Sequence, residues 1–421
     1  MMNGAAINGD RLLANLKRFA DIGATPKGGV NRQALTALDR EARKLLAEMA
    51  LRRGFTVFQD EIANLFIRRE GRNPDLPPLL IGSHLDSQPS GGKFDGALGT
   101  LSAFEVLETL EDQGIETERA VEVVAFTNEE GCRFAPGCMG SMAFSAGEIP
   151  ASWQDLRAVD GAPFAGELAA TLAGLPEAAM RPLGFPLYGY LEVHIEQGRL
   201  LESEDLPIGV VTGIQGTRWL DVEMTGQTAH AGTTLLKFRR DPMRAVTQAL
   251  ADLYQRIMPG DDQARFTVGR MSLQPGAVNA IPDNVRLTID IRHPDTSALD
   301  AMEQVIGDMF ARHAMALDCE ASVTRIFDMP PAAFPSSMVE RLAACADRLQ
   351  LPSRRMLSGA FHDALFMNRI APSAMIFVPC REGLSHNELE HVEPHHSVAG
   401  CELLAAAVRD LVGVSQDMPA H

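Results

Sequence analysis

The chain has 421 residues, 46% of them hydrophobic and 22% charged, with a net charge of −17. That length exceeds one ordinary core and predicts two domains, while so acidic a surface argues against nucleic acid or an anionic membrane as partner. No run of about 18 apolar residues is available to span a bilayer, and Met1–Asp10 lacks the basic start and apolar core of a secretory signal.

The six cysteines show neither disulfide-framework spacing nor a CxxC pair, which predicts reduced thiols and a cytoplasmic location. Cys132, Cys138 and Cys380 are expected merely to pack near the site described below.

In chain order, Arg11 to Arg53 carries apolar residues at helical spacing, and Phe55 to Arg68 alternates as a strand does. Leu79 to Gly82 is a short apolar run ended by glycine, the profile of a buried strand. Gly96 to Leu110 reads as a helix and Val121 to Phe126 as a second buried strand, which together predict an α/β sheet with helices on both faces. From about Thr212 the texture changes. Trp219 to Thr225 alternates, Asp241 to Ile257 is helical, Val285 to Arg292 alternates, Leu299 to Met315 is helical and Cys319 to Ile326 is a strand. This is the plan of a small α+β, ferredoxin-like sandwich inserted into a larger domain. Pro330, Pro331 and Pro335 mark the return, followed by a strand from Ala374 to Val378 and a helix from Val398 to Val412. The expected division is 1–212 and 330–421 for a mixed-sheet catalytic domain and 213–329 for the insert.

The chemistry-bearing residues fall where strands end, which is where ligands gather in such sheets. His84 and Asp86 are one residue apart in an extended segment and point the same way, Asp95 precedes Gly96, and Glu129-Glu130 follows the Val121–Phe126 strand. Adjacent carboxylates at a strand end repel unless a cation or a shared proton relieves them. His194 lies in an alternating strand that ends in Gly198, and His386 comes after the apolar run Met375 to Val378. Taken singly, each reads as a structural turn or a satisfied histidine; together they are the imidazole and carboxylate donors that divalent cations select.

In its motifs the chain resembles the dinuclear-metal aminoacylase/carboxypeptidase superfamily, in the branch of N-carbamoyl-L-amino acid hydrolases, β-ureidopropionases and allantoate amidohydrolases. The matching segments are Gly82-Ser-His-Leu-Asp-Ser87, Gly91-Gly-Lys-Phe-Asp-Gly-Ala97, Thr127-Asn-Glu-Glu-Gly-Cys-Arg-Phe134 and His194-Ile-Glu-Gln-Gly198. They continue through Ala229-His-Ala-Gly-Thr-Thr234, Pro275 to Pro282, Asp290-Ile-Arg292, His362-Asp-Ala364 and Ser385-His386. The short gap from His84 to Asp95, and a histidine at 194 where the peptidases generally place a carboxylate, favour the carbamoyl branch.

The resemblance implies a homodimeric hydrolase holding two divalent cations per subunit, zinc by analogy, with Mn²⁺, Co²⁺ or Ni²⁺ accepted by the same donors. Its substrate would be a small N-carbamoyl amino acid or related ureido acid, such as allantoate, cleaved with release of ammonia and carbon dioxide. Asp95 would bridge the cations, with His84 and His194 at one and Glu130 and His386 at the other. Glu129 would act as general base and Asp86 would orient His84. His230, on the insert, would reach the neighbouring subunit's site as an oxyanion donor. Gln197, Asn279, Arg292 and, more weakly, Arg218 would contact substrate. Phe361 stands where the family usually has a glycine whose backbone touches substrate, Ser87 replaces the usual threonine, and Leu235-Leu236 follows Thr234. The alternatives are an aminoacylase or dipeptidase of the same superfamily, and a non-catalytic binding protein on this fold.

Overall fold

The structure, a computed structural model, describes residues 7–413. Most of the Met1–Asp10 stretch considered above lies outside them. The chain divides into two compact units, one comprising the chain up to Thr212 and again from Phe334, the other Gly213–Ala333. No helix among the described residues is long and apolar enough to cross a membrane.

The first unit is built on a large mixed sheet. Its strands lie in the order Ile208–Ile214, Ser373–Val378, Gly189–Ile195, Leu79–His84, Val121–Phe126, Leu65–Arg69, Thr56–Gln59 and Ala179–Met180. The four strands at 373–378, 189–195, 79–84 and 121–126 run parallel to their neighbours in this group and are buried at every position. Burial on both faces explains their nearly unbroken apolar runs. The helix Ala97–Asp112 packs on three of these strands and is buried almost all round, as its sequence ALGTLSAFEVLETL requires. Because the four strands are parallel, their C-terminal ends share one edge of the sheet.

One expectation is corrected here. Phe55 to Arg68 is not a single strand but a hairpin of Thr56–Gln59 and Leu65–Arg69. Asp60 makes the turn: its Oδ1 accepts the backbone N–H of Ile62 and Asn64, and its Oδ2 accepts Asn64 Nδ2. Alternation on both sides of the turn hides the reversal from a periodicity argument.

The Gly213–Ala333 unit has a four-stranded antiparallel sheet in the order Arg265–Gln274, Asn284–His293, Gly216–Thr225, Glu320–Met329. The helices Pro242–Arg256 and Thr296–Ala316 cover it through Ala245, Val246, Ala249, Leu253, Leu299 and Ile306. The Arg265–Gln274 strand is one that sequence does not locate: it is an edge strand, exposed along most of its length, and lacks a clear alternating stripe.

Candidate metal centre

The parallel strands deliver their terminal residues to a common place. His84 ends Leu79–His84, His194 lies near the end of Gly189–Ile195, and Glu129-Glu130 follows Val121–Phe126. Asp95 enters just before the Ala97–Asp112 helix, and His386 lies in the loop after Ser373–Val378. Gly96, between Asp95 and that helix, has φ +63, and a Cβ there would lie 2.3 Å from His84 Cε1. Only glycine admits both the backbone turn and the imidazole.

Among the described residues three donor groups form, one of them Glu192, His194 and His362, and the other two share Asp95. His84, Asp95 and His194 offer atoms within 4.8 Å of one another, and so do Asp95, Glu130 and His386. Asp95 Oδ1 faces His194 Nε2 at 3.1 Å and His84 Nε2 at 3.5 Å, whereas Oδ2 lies 3.8 Å from His386 Nε2. Glu130 Oε2 is 3.3 Å from His386 Nε2, and Glu129 Oε2 is 3.5 Å from His84 Nε2.

The residues fit divalent cations on a specific observation. His84 Nε2 is buried without a hydrogen-bond partner, while Nδ1 lies 3.0 Å from the Asp86 carbonyl. When that ring is neutral and donates through Nδ1, its Nε2 lone pair points into the carboxylate cluster, a ligand's arrangement. His194 repeats it, with Nδ1 3.0 Å from the Ile195 carbonyl. The charge balance agrees. Burial pushes Glu130 up to about 8, with Asp95 reinforcing the shift. Glu129 is pushed well above the usual carboxylate range by burial, against the pull of His84. Burial opposes ionisation of Asp95 too, but His194 and His84 overcome it and hold that carboxyl well below its ordinary value. Three acids crowded into one buried space, two of them resisting ionisation, are groups that a cation would allow to ionise together.

Around these donors lies a second layer that sequence reasoning missed or assigned differently. Asp86 does not meet the His84 ring with its carboxylate, whose nearest oxygen is 3.8 Å away. Its Oδ1 and Oδ2 instead accept the backbone N–H groups of Glu129 and Glu130, each at 3.3 Å. Gln88 donates to both Glu130 oxygens, through its backbone at 3.1 Å and Nε2 at 2.7 Å. Asp95 Oδ2 accepts from Ser385 Oγ at 2.8 Å and from Gln197 Nε2 at 3.0 Å. Gln197 Oε1 is buried without a partner. Cys138 Sγ lies 3.4 Å from Glu129 Oε1 and Cys132 Sγ 3.6 Å from the Ser87 carbonyl.

Behind His194, the His362 ring packs edge-on at 4.4 Å, and Glu192 accepts from Ser83 Oγ and the Ala364 N–H. Asp363 accepts from Ser141 Oγ at 2.5 Å. Phe361 is half-buried and does not adopt a positive φ, so its backbone needs no glycine there.

The remaining candidates belong to the Gly213–Ala333 unit. His230 is exposed, and its Nδ1 accepts the N–H groups of Gly232 and Thr233 at 3.1 and 3.2 Å, which leaves the proton on Nε2. Asn279 is its neighbour: the Asn279 carbonyl accepts the Ala231 N–H at 2.9 Å, and Ala280 pairs with His230. Arg292 is gripped through Nε and Nη2 by Asp290, which also accepts Trp219 Nε1 at 3.0 Å. Arg218 is buried and held by Asp300, Glu303 and Asp328, the surroundings of a structural cation.

The chain is similar to known proteins over most of its length. The sequence profile described as Peptidase family M20/M25/M40 covers residues 80–410, and the chain belongs to that family. An N-carbamoyl-L-amino-acid amidohydrolase of Rhizobium meliloti is 37% identical over 403 residues, 96% of each protein. A ureidoglycolate hydrolase of Arabidopsis thaliana is 33% identical over 94% of this chain and 84% of its own length. The crystal structure of a hydantoinase/carbamoylase family amidase from Burkholderia multivorans superimposes with a TM-score of 0.91 at 40% identity, over 97% of this chain and 98% of that one.

Proposed function

We propose that the protein is a metal-dependent amidohydrolase that cleaves the linear C–N bond of an N-carbamoyl amino acid or related ureido acid. The observation that carries this reading is Asp95, whose two oxygens face two separate donor groups beside the carboxylate of Glu129. His84, Asp95 and His194 would hold one cation, and Asp95, Glu130 and His386 the other. Divalent cations at such a pair supply Lewis-acid polarisation of a carbonyl and a more acidic water. The identity of the relatives extends the reading from a generic hydrolase to the ureido class.

Glu129 Oε2 takes the proton of the attacking water and returns it to the departing nitrogen. Water and the ureido group together yield carbon dioxide, ammonia and the free amine, so no further reactant is needed. Gln197 presents its unpartnered Oε1 as an acceptor for a substrate N–H. His230 offers Nε2–H to the developing oxyanion, with Asn279 beside it, and Arg292 exchanges its carboxylate partner, Asp290, for that of the substrate. Arg218 stays structural, since three carboxylates already engage it. In this reading the Gly213–Ala333 unit is the lid and the dimer contact, through which His230 serves the partner's site. Zinc is the metal this reading takes, by analogy alone, and the six free cysteines suit a cytoplasmic enzyme.

The test is ammonia release by the zinc-loaded protein from N-carbamoyl-L-amino acids, N-carbamoyl-β-alanine, ureidoglycolate and allantoate, set beside cleavage of N-acetyl amino acids and dipeptides. Preference for a ureido compound is expected. Preference for acetyl or dipeptide substrates would replace the reading with an aminoacylase or dipeptidase, and inactivity on all of them would favour a binding protein. Phe361→Gly is expected to shift preference within the ureido panel toward bulkier compounds.

A further inference from the structure

Glu390 plays no part in the chemistry above, yet it is 2% exposed and its carboxylate lies against the Asp95 loop. Its Oε1 accepts the backbone N–H of Phe94 at 2.9 Å and of Asp95 at 3.1 Å, across 296 and 295 residues of sequence. Its Oε2 is buried with no partner. The loop is shaped to receive it: a Cβ on Gly92 would lie 1.9 Å from Glu390 Cδ, an impossible approach for any side chain. Glu390 also shares a short segment with His386. A turn in which the Glu390 N–H donates to the Asn387 carbonyl at 3.0 Å folds the carboxylate back, and Ser385 of the same segment donates to Asp95 Oδ2.

We infer that Glu390, seated in the notch that Gly92 leaves open, is a positioning residue that fixes the Asp95 loop to the His386 segment and so assembles the Asp95–Glu130–His386 cation site. The inference rests on the reading of Asp95 and His386 as ligands and adds to it the element that sets their separation. Two loops distant in sequence each bring one donor, and the distance between them is set by what crosses from one loop to the other, the Ser385 bond to Asp95 included. One oxygen accepting two N–H groups supplies such a constraint. Outer partners of this kind typically change metal affinity by about 10–100-fold. The work is done by an accepting oxygen, so glutamine, which keeps one, substitutes for glutamate.

The experiment is zinc titration of chelator-treated full-length protein, with bound zinc counted after gel filtration and folding checked by circular dichroism. Wild type is expected to bind two equivalents. Glu390→Ala is expected to bind the weaker equivalent about 10–100-fold less tightly, Gly92→Ala to show the same loss, and Glu390→Gln to stay within about threefold of wild type. Two equivalents in Glu390→Ala at unchanged affinity would overturn the inference while leaving the parent reading intact. Fewer than two in wild type would overturn both. Should Glu390→Ala not fold, the other variants decide: wild-type affinity in Gly92→Ala, or a loss in Glu390→Gln as large as that in Gly92→Ala, would equally overturn it.

Discussion

Asp86 Oδ1 accepts the backbone N–H of Glu129 at 3.3 Å, and through that bond a carboxylate after one strand fixes the side chain proposed as base after the next. The second oxygen does the same for Glu130. The His84 ring is held by the Asp86 backbone carbonyl, a contact that any residue at 86 preserves.

Asp86→Ala therefore separates the two roles. It is expected to lower kcat by about 10–100-fold, the usual cost of an outer-layer partner, through displacement of Glu129 and Glu130, while His84 stays in place. Steady-state kinetics with zinc in excess measures this. A kcat within about threefold of wild type would show that the two N–H groups need no anchor.

Gly96→Ala tests the packing of Asp95 against His84. Its φ of +63 and the 2.3 Å approach to His84 Cε1 make alanine both strained and obstructed. Strain of this kind costs on the order of 1–3 kcal/mol, and the displaced ring is expected to weaken zinc binding as well. Thermal unfolding with and without zinc reads both. Equal melting temperatures and an equal zinc-induced shift in the two proteins would refute the account.

Most of the cluster's members were legible in sequence because they end or follow buried strands, and parallel strands release their ends on one side; Asp95, just before a helix, was carried by its motif. The supporting layer was not. Glu390 meets Phe94 and Asp95 only because the sheet sets the segment after Ser373–Val378 beside loops from the first quarter of the chain, and Gln88 meets Glu130 by the same folding. No local pattern encodes those approaches. Asp86 shows a subtler limit: alternation gave the direction of its side chain, but the neighbouring loop decided which donors it found. Arg218 shows the converse, since an arginine attractive as a substrate contact is already held by carboxylates from the Thr296–Ala316 helix and the adjacent strand.

Asp60, in the hairpin turn, gives a pH dependence of its own. Burial pushes its carboxyl from 3.8 up to about 7, although Asn64 and the backbone donors oppose the shift. Above pH 3.8 the unfolded chain releases this proton while the folded chain keeps it to about 7, so stability falls across that window as pH rises. At about 1.4 kcal/mol per tenfold change in proton affinity, the loss is on the order of 4 kcal/mol. Asp60→Asn removes the titration, so its stability relative to wild type should improve between pH 5 and pH 8 in denaturant unfolding. A constant difference between the two proteins would contradict this.

The central claim, that paired cations and Glu129 together perform the hydrolysis, is tested most directly by the turnover of Glu129→Gln on the preferred ureido substrate, at a zinc content verified as two equivalents. The variant is expected to keep both zinc ions and to lose about 10²–10⁴ in kcat, the contribution of a positioned general base. Undiminished turnover with both zinc ions bound would contradict it.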